Sequence, residues 1–115
     1  MKIVLVSGGF DPLHSGHIAY FQAAKKLGDK LVVALNSDEW LVRKKGKAFM
    51  PWDERACIIS ALVDVDVVLG FEDSDNTAGN AIFQTLAGFP NDEIVFANGG
   101  DRPAGNVPEY DMYGL

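Results

Sequence analysis

One cysteine, Cys57, is all the chain carries, so no disulfide can close within it, and a lone thiol inside a helix is expected as a small buried hydrophobe. Histidine is nearly as scarce. The two present, His14 and His17, fall three residues apart, and with Cys57 they do not make a common zinc spacing. Basic charge is short as well: 10 Lys and Arg against 16 Asp and Glu leave a net charge of −6, which argues against a broad basic face for nucleic acid or an anionic membrane. No apolar run approaches the roughly 20 residues of a membrane span. Met1 and Lys2 lead straight into a short strand pattern rather than a signal peptide, so a cytoplasmic location is expected. The 115 residues, 48% hydrophobic and 23% charged, fit one globular core.

Both histidines lie in one run, Gly8-Gly9-Phe10-Asp11-Pro12-Leu13-His14-Ser15-Gly16-His17. It follows an apolar strand pattern, Ile3 to Val6, and opens a helical pattern, so it joins a strand to a helix through a glycine turn. Gly8 and Gly9 allow close backbone approach to a ligand, Pro12 fixes a turn after Asp11, and Ser15 or Gly16 starts a helix whose free N–H groups suit an anion. Any anion needs local positive charge in so acidic a chain. Arg43, Lys44, Lys45 and Lys47 hold four of the ten basic residues, with Arg55 a short way on.

Apolar runs alternate with helical patterns along the chain, which predicts a parallel α/β sheet. Strands are expected at Ile3 to Val6, Leu31 to Leu35, Val65 to Leu69 and Ile94 to Ala97. Helices are expected at His17 to Leu27, with Ile18, Phe21, Ala24 and Leu27 inward, and as a short helix through Trp40 and Leu41, capped by Asn36-Ser37-Asp38, before a basic loop to Pro51. Two more are expected at Asp53 to Leu62 and from Thr77 to Leu86 or Ala87, the last weakened by Gly79. Asp73 and Asp75 alternate as in a calcium loop, but the glycine and closing glutamate of an EF-hand are missing. Trp40 and Trp52 flank the basic loop and could stack on a base, whereas Phe10, Phe21 and Phe71 read as core.

His14-Ser15-Gly16-His17 has the form HxGH, and with Gly9-Phe10-Asp11 before it the run resembles the cytidylyltransferase-like nucleotidyltransferases. Leu27-Gly28-Asp29, Asn36-Ser37-Asp38, Arg43-Lys44, Gly46, Pro51, Glu54-Arg55, Ala61-Leu62, Val65-Asp66, Phe71-Glu72 and Gly99-Gly100-Asp101 extend the resemblance. They look like the adenylyltransferase domain of ADP-heptose synthases, and glycerol-3-phosphate cytidylyltransferases share several of these features. The resemblance implies a single nucleotidyltransferase domain over residues 1–115 with a Rossmann-like open parallel sheet of HUP type, helices on both faces and order 3-2-1-4-5. It also implies site roles. His14, His17 and Lys44 would be catalytic; Gly8, Gly9, Phe10, Asp11, Gly16, Arg55, Gly100 and Asp101 would bind nucleotide or phosphate, Arg55 on the acceptor side and Asp101 at the nucleotide edge.

Two departures stand out. Val63 occupies a place where the cytidylyltransferases carry arginine, and the tail from Pro103 to Leu115 has neither the fifth strand nor the Ser/Thr-rich phosphate segment of the family, so a shortened C-terminus is expected. The reaction implied is in-line transfer of AMP or CMP from ATP or CTP to a sugar phosphate or polyol phosphate, with pyrophosphate released. Mg²⁺ would act through the phosphates, with Asp11 either orienting its water or serving as a turn residue. A homodimer is possible on this reading. Two alternatives stay open: a nucleotide-binding module with impaired catalysis, and another HxGH adenylyltransferase of the pantetheine-phosphate or nicotinamide-mononucleotide type.

Overall fold

Residues 1–97 are described by a computed structural model of the chain. The tail from Pro103, expected to lack the family's fifth strand, lies outside the described residues. Among these, four parallel strands, β1 (Lys2–Gly8), β2 (Lys30–Leu35), β3 (Val67–Gly70) and β4 (Glu93–Phe96), make one sheet of order β3-β2-β1-β4. This is the α/β sheet that the alternation of patterns predicts. β1 is central, with Val4 opposite Leu31 on one side and Val95 on the other.

The runs in β1 and β2 are continuously apolar because both faces of the sheet are covered, as parallel sheets require. Ile3, Leu5, Val32 and Ala34 face the helix α4 (Gly79–Gly88) through Ala81 and Ile82. Val4, Val6, Leu31 and Val33 pack instead with Phe21 and Ala24 of α1 (Ser15–Lys25) and Ile59 of α3 (Trp52–Ser60). The inward face of α1 is narrower than its sequence pattern suggests. Phe21 and Ala24 are buried, but Ile18 is 37% and Leu27 53% exposed. After α1 the chain turns at Gly28, where an added Cβ would lie 2.8 Å from the Lys2 carbonyl oxygen.

The basic stretch is helical where a loop was expected. Helix α2 (Asp38–Lys45) begins because the Ser37 side chain accepts from the Trp40 N–H, and it ends at Gly46, whose φ of 93° is left-handed. Asp38 and Glu39 fill its first turn and Arg43, Lys44 and Lys45 its last, an order that complements the helix dipole. α4 starts at Gly79 rather than Thr77, since Asp75 accepts from the backbone and hydroxyl of Thr77 in a turn before it. Gly79 therefore heads the helix and does not weaken its interior. β3 starts two residues later than expected, Val65 packing in the core and Asp66 accepting from the Leu31 N–H at 2.8 Å.

Candidate functional site

The glycine turn after β1 is packed by the protein itself. A Cβ on Gly8 would meet the Phe10 ring at 2.8 Å, and one on Gly9 the Leu41 side chain at 2.7 Å. These glycines give room to neighbouring side chains, and Gly8 also faces the crevice beside Lys44. Phe10 adopts a positive φ of 49°, which drops its ring into the core edge-on to Phe21 and His17, each centroid 5.0 Å away. Its side chain is buried, so it shapes the motif from below.

Asp11 is a strut. Its carboxylate accepts from the backbone N–H groups of Phe49 and Met50 and pairs with Lys45 at 3.0 Å. Burial pushes its pKa up, but Lys45 and the two amides outweigh this and hold it below the usual value. Only 1% of the side chain is exposed. Its carboxylate thereby ties the turn after β1 to the end of α2 and the residues that follow it.

His14 and His17 cap α1 reciprocally. The Gly16 N–H donates to His14 Nδ1 at 3.1 Å, and the His14 N–H donates to His17 Nδ1 at 3.2 Å. With Nδ1 accepting, each neutral imidazole carries its proton on Nε2. The rings stack with centroids 3.9 Å apart. Gly16 is needed for this geometry, because a Cβ there would lie 2.8 Å from His14 Cε1. The free N–H groups expected at the helix start are thus partly spent, those of Gly16 on His14 Nδ1 and of His17 on the His14 carbonyl. The imidazole bonded by Gly16 stands in for its amide: the N–H polarises the ring, and the ring presents Nε2–H. Burial and then the neighbouring His14 lower the pKa of His17, which favours its neutral form.

Arg55 is 1% exposed and its guanidinium is engaged on every nitrogen. Nε donates to the Met50 carbonyl at 2.9 Å, and Nη1 to the carbonyls of Gly9 at 2.8 Å and Asn36 at 2.9 Å. Nη2 donates to Asp38 at 2.6 Å. It therefore binds the glycine turn, the end of β2, the start of α2 and the loop before α3 to one another. The acceptor contact expected of it has no free donor group facing solvent. A second tie also holds the start of α2, where the Asp73 carboxylate accepts from Asn36 Nδ2 at 3.0 Å and from the Ser37 amide and hydroxyl at 2.8 and 2.7 Å. Burial raises the Asp73 pKa, but the Ser37 and Asn36 bonds and Arg43 bring it below the usual value.

Of the basic cluster, Arg43 donates to the Asp73 carbonyl and to Asn76, and Lys45 pairs with Asp11. Lys44 has no ion pair among the described residues. Its Nζ lies 5.4 Å from the Trp40 ring centroid, and it lines a crevice of about 150 Å³ together with Ser7, Gly8, Asn36 and Trp40. An adjoining cleft of about 350 Å³ shares Trp40 and Lys44. The smaller one lies at the carboxyl ends of β1 and β2, through Ser7, Gly8 and Asn36, where open parallel sheets bind ligands. Trp52 faces inward and donates to the Leu35 carbonyl at 3.2 Å. Gly100 and Asp101 lie outside the described residues.

The family described as cytidylyltransferase-like matches residues 5–104. The chain belongs to that family. Among relatives of this cytidylyltransferase-like chain, the bifunctional protein HldE of Erwinia tasmaniensis is 40% identical over 114 residues, covering 87% of this chain and 23% of its own length. HldE of Enterobacter sp. is 37% identical over 115 residues, covering 87% of this chain and 24% of its own. The chain thus spans about a quarter of the length of these relatives. A lipopolysaccharide core biosynthesis protein from Thermoplasma volcanium superposes with a TM-score of 0.65 at 26% identity, over 85% of this chain and 95% of that one. The family membership makes this a nucleotidyltransferase-type domain.

Of the residues expected to be catalytic, His14 and His17 sit at the start of α1 after β1, and Lys44 sits on α2 beside the crevice. Sequence reasoning missed Asn36, Ser37, Asp38 and Asp73 as the frame of the crevice. The signal was present in Asn36-Ser37-Asp38, three polar residues directly after a strand buried from Leu31 to Leu35. Cys57 is exposed, contrary to the expectation that it is buried.

Proposed function

We propose that the domain transfers a nucleoside monophosphate from ATP or CTP to a sugar phosphate or polyol phosphate. The observation that carries this reading is the imidazole pair, two Nδ1 atoms fixed by backbone N–H groups and two Nε2–H donors left over. Donors held in place before the reaction need no reorganisation as charge grows on the transferring phosphoryl group. An acceptor phosphate oxygen attacks the α-phosphorus in line, the α–β bridging bond breaks, and pyrophosphate leaves with the bond electrons. His14 and His17 donate to phosphate oxygens throughout, and Lys44 balances the charge of the incoming phosphate. Arg55, Asp11 and Asp73 hold these groups in place without touching substrate. Magnesium would arrive on the triphosphate oxygens and offset their charge.

The β1–β4 junction, where successive crossovers diverge, is the side assigned to the nucleotide, which leaves the crevice over β1 and β2 to the acceptor. Pyrophosphate release from Mg-ATP and Mg-CTP, each with hexose 1-phosphates, heptose 1-phosphates and glycerol 3-phosphate, tests the reading. Turnover with one pair, lowered about 10²- to 10³-fold by His17→Ala, is expected. Tight nucleotide binding with no turnover on any acceptor would instead make this a nucleotide-binding module.

A further inference from the structure

We propose that Asn36 determines acceptor specificity by accepting a hydrogen bond from a hydroxyl group of the phosphorylated acceptor through its Oδ1, a proposal that rests on the transfer reading above. Asn36 is only 6% exposed, yet it lines the small crevice beside Lys44. Three of its four polar atoms are spoken for. Its N–H donates to the Gly8 carbonyl at 2.9 Å, its carbonyl accepts from Arg55 at 2.9 Å, and Nδ2 donates to Asp73 at 3.0 Å. The amide cannot be turned round. Asp73 is an ionised carboxylate that also accepts from Ser37, so only the Nδ2 edge of Asn36 can face it.

Oδ1 is left as a buried acceptor with no protein partner among the described residues. Such an atom, with no protein donor, takes its hydrogen bond from whatever fills the crevice, water in the free protein and a donor group of a bound ligand in its place. Lys44 lines the same crevice and suits a phosphate, while Oδ1 suits the hydroxyl of a small carbon chain attached to it. The adjoining cleft shares Lys44 and Trp40, which gives a phosphorylated acceptor a way in from the α2 side. Two fixed points, one cationic and one accepting, select hydroxylated phosphate monoesters over bare ones. Orientation by Asp73 makes the selection rigid. A hydroxyl-lacking analogue would enter the crevice and leave Oδ1 unpaired, and sites built to bond a hydroxyl reject such analogues strongly.

Calorimetric titration of the full chain tests the assignment with glycerol 3-phosphate, glucose 1-phosphate, ribose 5-phosphate, propyl phosphate and inorganic phosphate. At least one hydroxylated ester should bind the wild type about 10- to 100-fold tighter than propyl phosphate. In Asn36→Ala that advantage should fall to within about threefold, with propyl phosphate bound as before. The wild-type comparison stands whether or not the variant folds. Equal affinities for all esters, an advantage that survives Asn36→Ala, or an effect of the variant on ATP or CTP instead would each overturn the role of Asn36. Failure of every phosphate, inorganic phosphate included, to bind the wild type would overturn the transfer reading itself.

Discussion

An added methyl at Gly16 would press on the His14 ring, 2.8 Å from Cε1 and 3.0 Å from Nδ1. Alanine also raises intrinsic helix stability by up to about 1 kcal/mol over glycine, so fold and function should part company in Gly16→Ala. Denaturation should show stability changed by less than about 1 kcal/mol, while pyrophosphate release falls about 10²-fold through a displaced imidazole. Equal loss of both would mean that Gly16 serves the helix alone. Lys44 and Arg55 divide in the opposite way. Lys44→Ala should raise KM for the acceptor with stability within about 0.5 kcal/mol of wild type. Arg55→Ala removes a buried cation bonded to three carbonyls and a carboxylate, and should cost about 3–5 kcal/mol in urea denaturation. A stable Arg55→Ala protein with raised KM would restore the acceptor contact that the sequence suggested. The two residues look alike as sequence, because charge type is visible there and burial is not.

Helix α2 is held on two sides by carboxylates, Asp73 against its start and Asp11 against Lys45 at its end. Both have folded pKa values below the ordinary 3.8, so the unfolded chain binds protons first as pH falls. Their contribution is therefore complete above about pH 5 and is lost as pH drops through the folded values. Urea midpoints measured from about pH 6 down to about pH 2.5 should show a steep acid limb, flattened in Asp11→Asn and Asp73→Asn. An unchanged limb in both would remove the struts from the account. Strand and helix types were legible where the signal is local, as in the apolar runs of β1 and β2 and the cap before Trp40, but the basic residues hid that α2 continues to its stop at Gly46. The phase of α3 was harder to read. Arg55 and Ile59, four residues apart, are buried on one side, which turns Cys57 between them outward. A buried arginine disguises that stripe as a charged face.

For the molecule as a whole, the sheet order β3-β2-β1-β4 gathers every proposed contact at one end, although the net charge is −6. Local structure accounts for this: two of the cluster's cations are neutralised by internal pairs, and Lys44 remains at the crevice. The motif was legible because its residues are contiguous. The frame was not, because Asn36, Arg55 and Asp73 meet only through the tertiary fold. The central claim is that nucleotide phosphates bind the paired imidazoles, and the chain's having only two histidines makes that directly observable. In ¹H–¹⁵N spectra of the imidazoles, saturating Mg-ATP or Mg-CTP should shift the Nε2 signals of both rings. The titration of His17, lowered in the free protein by burial and by His14, should move upward as phosphate favours its charged form. Imidazole signals and a His17 titration unmoved at saturating triphosphate would contradict the account.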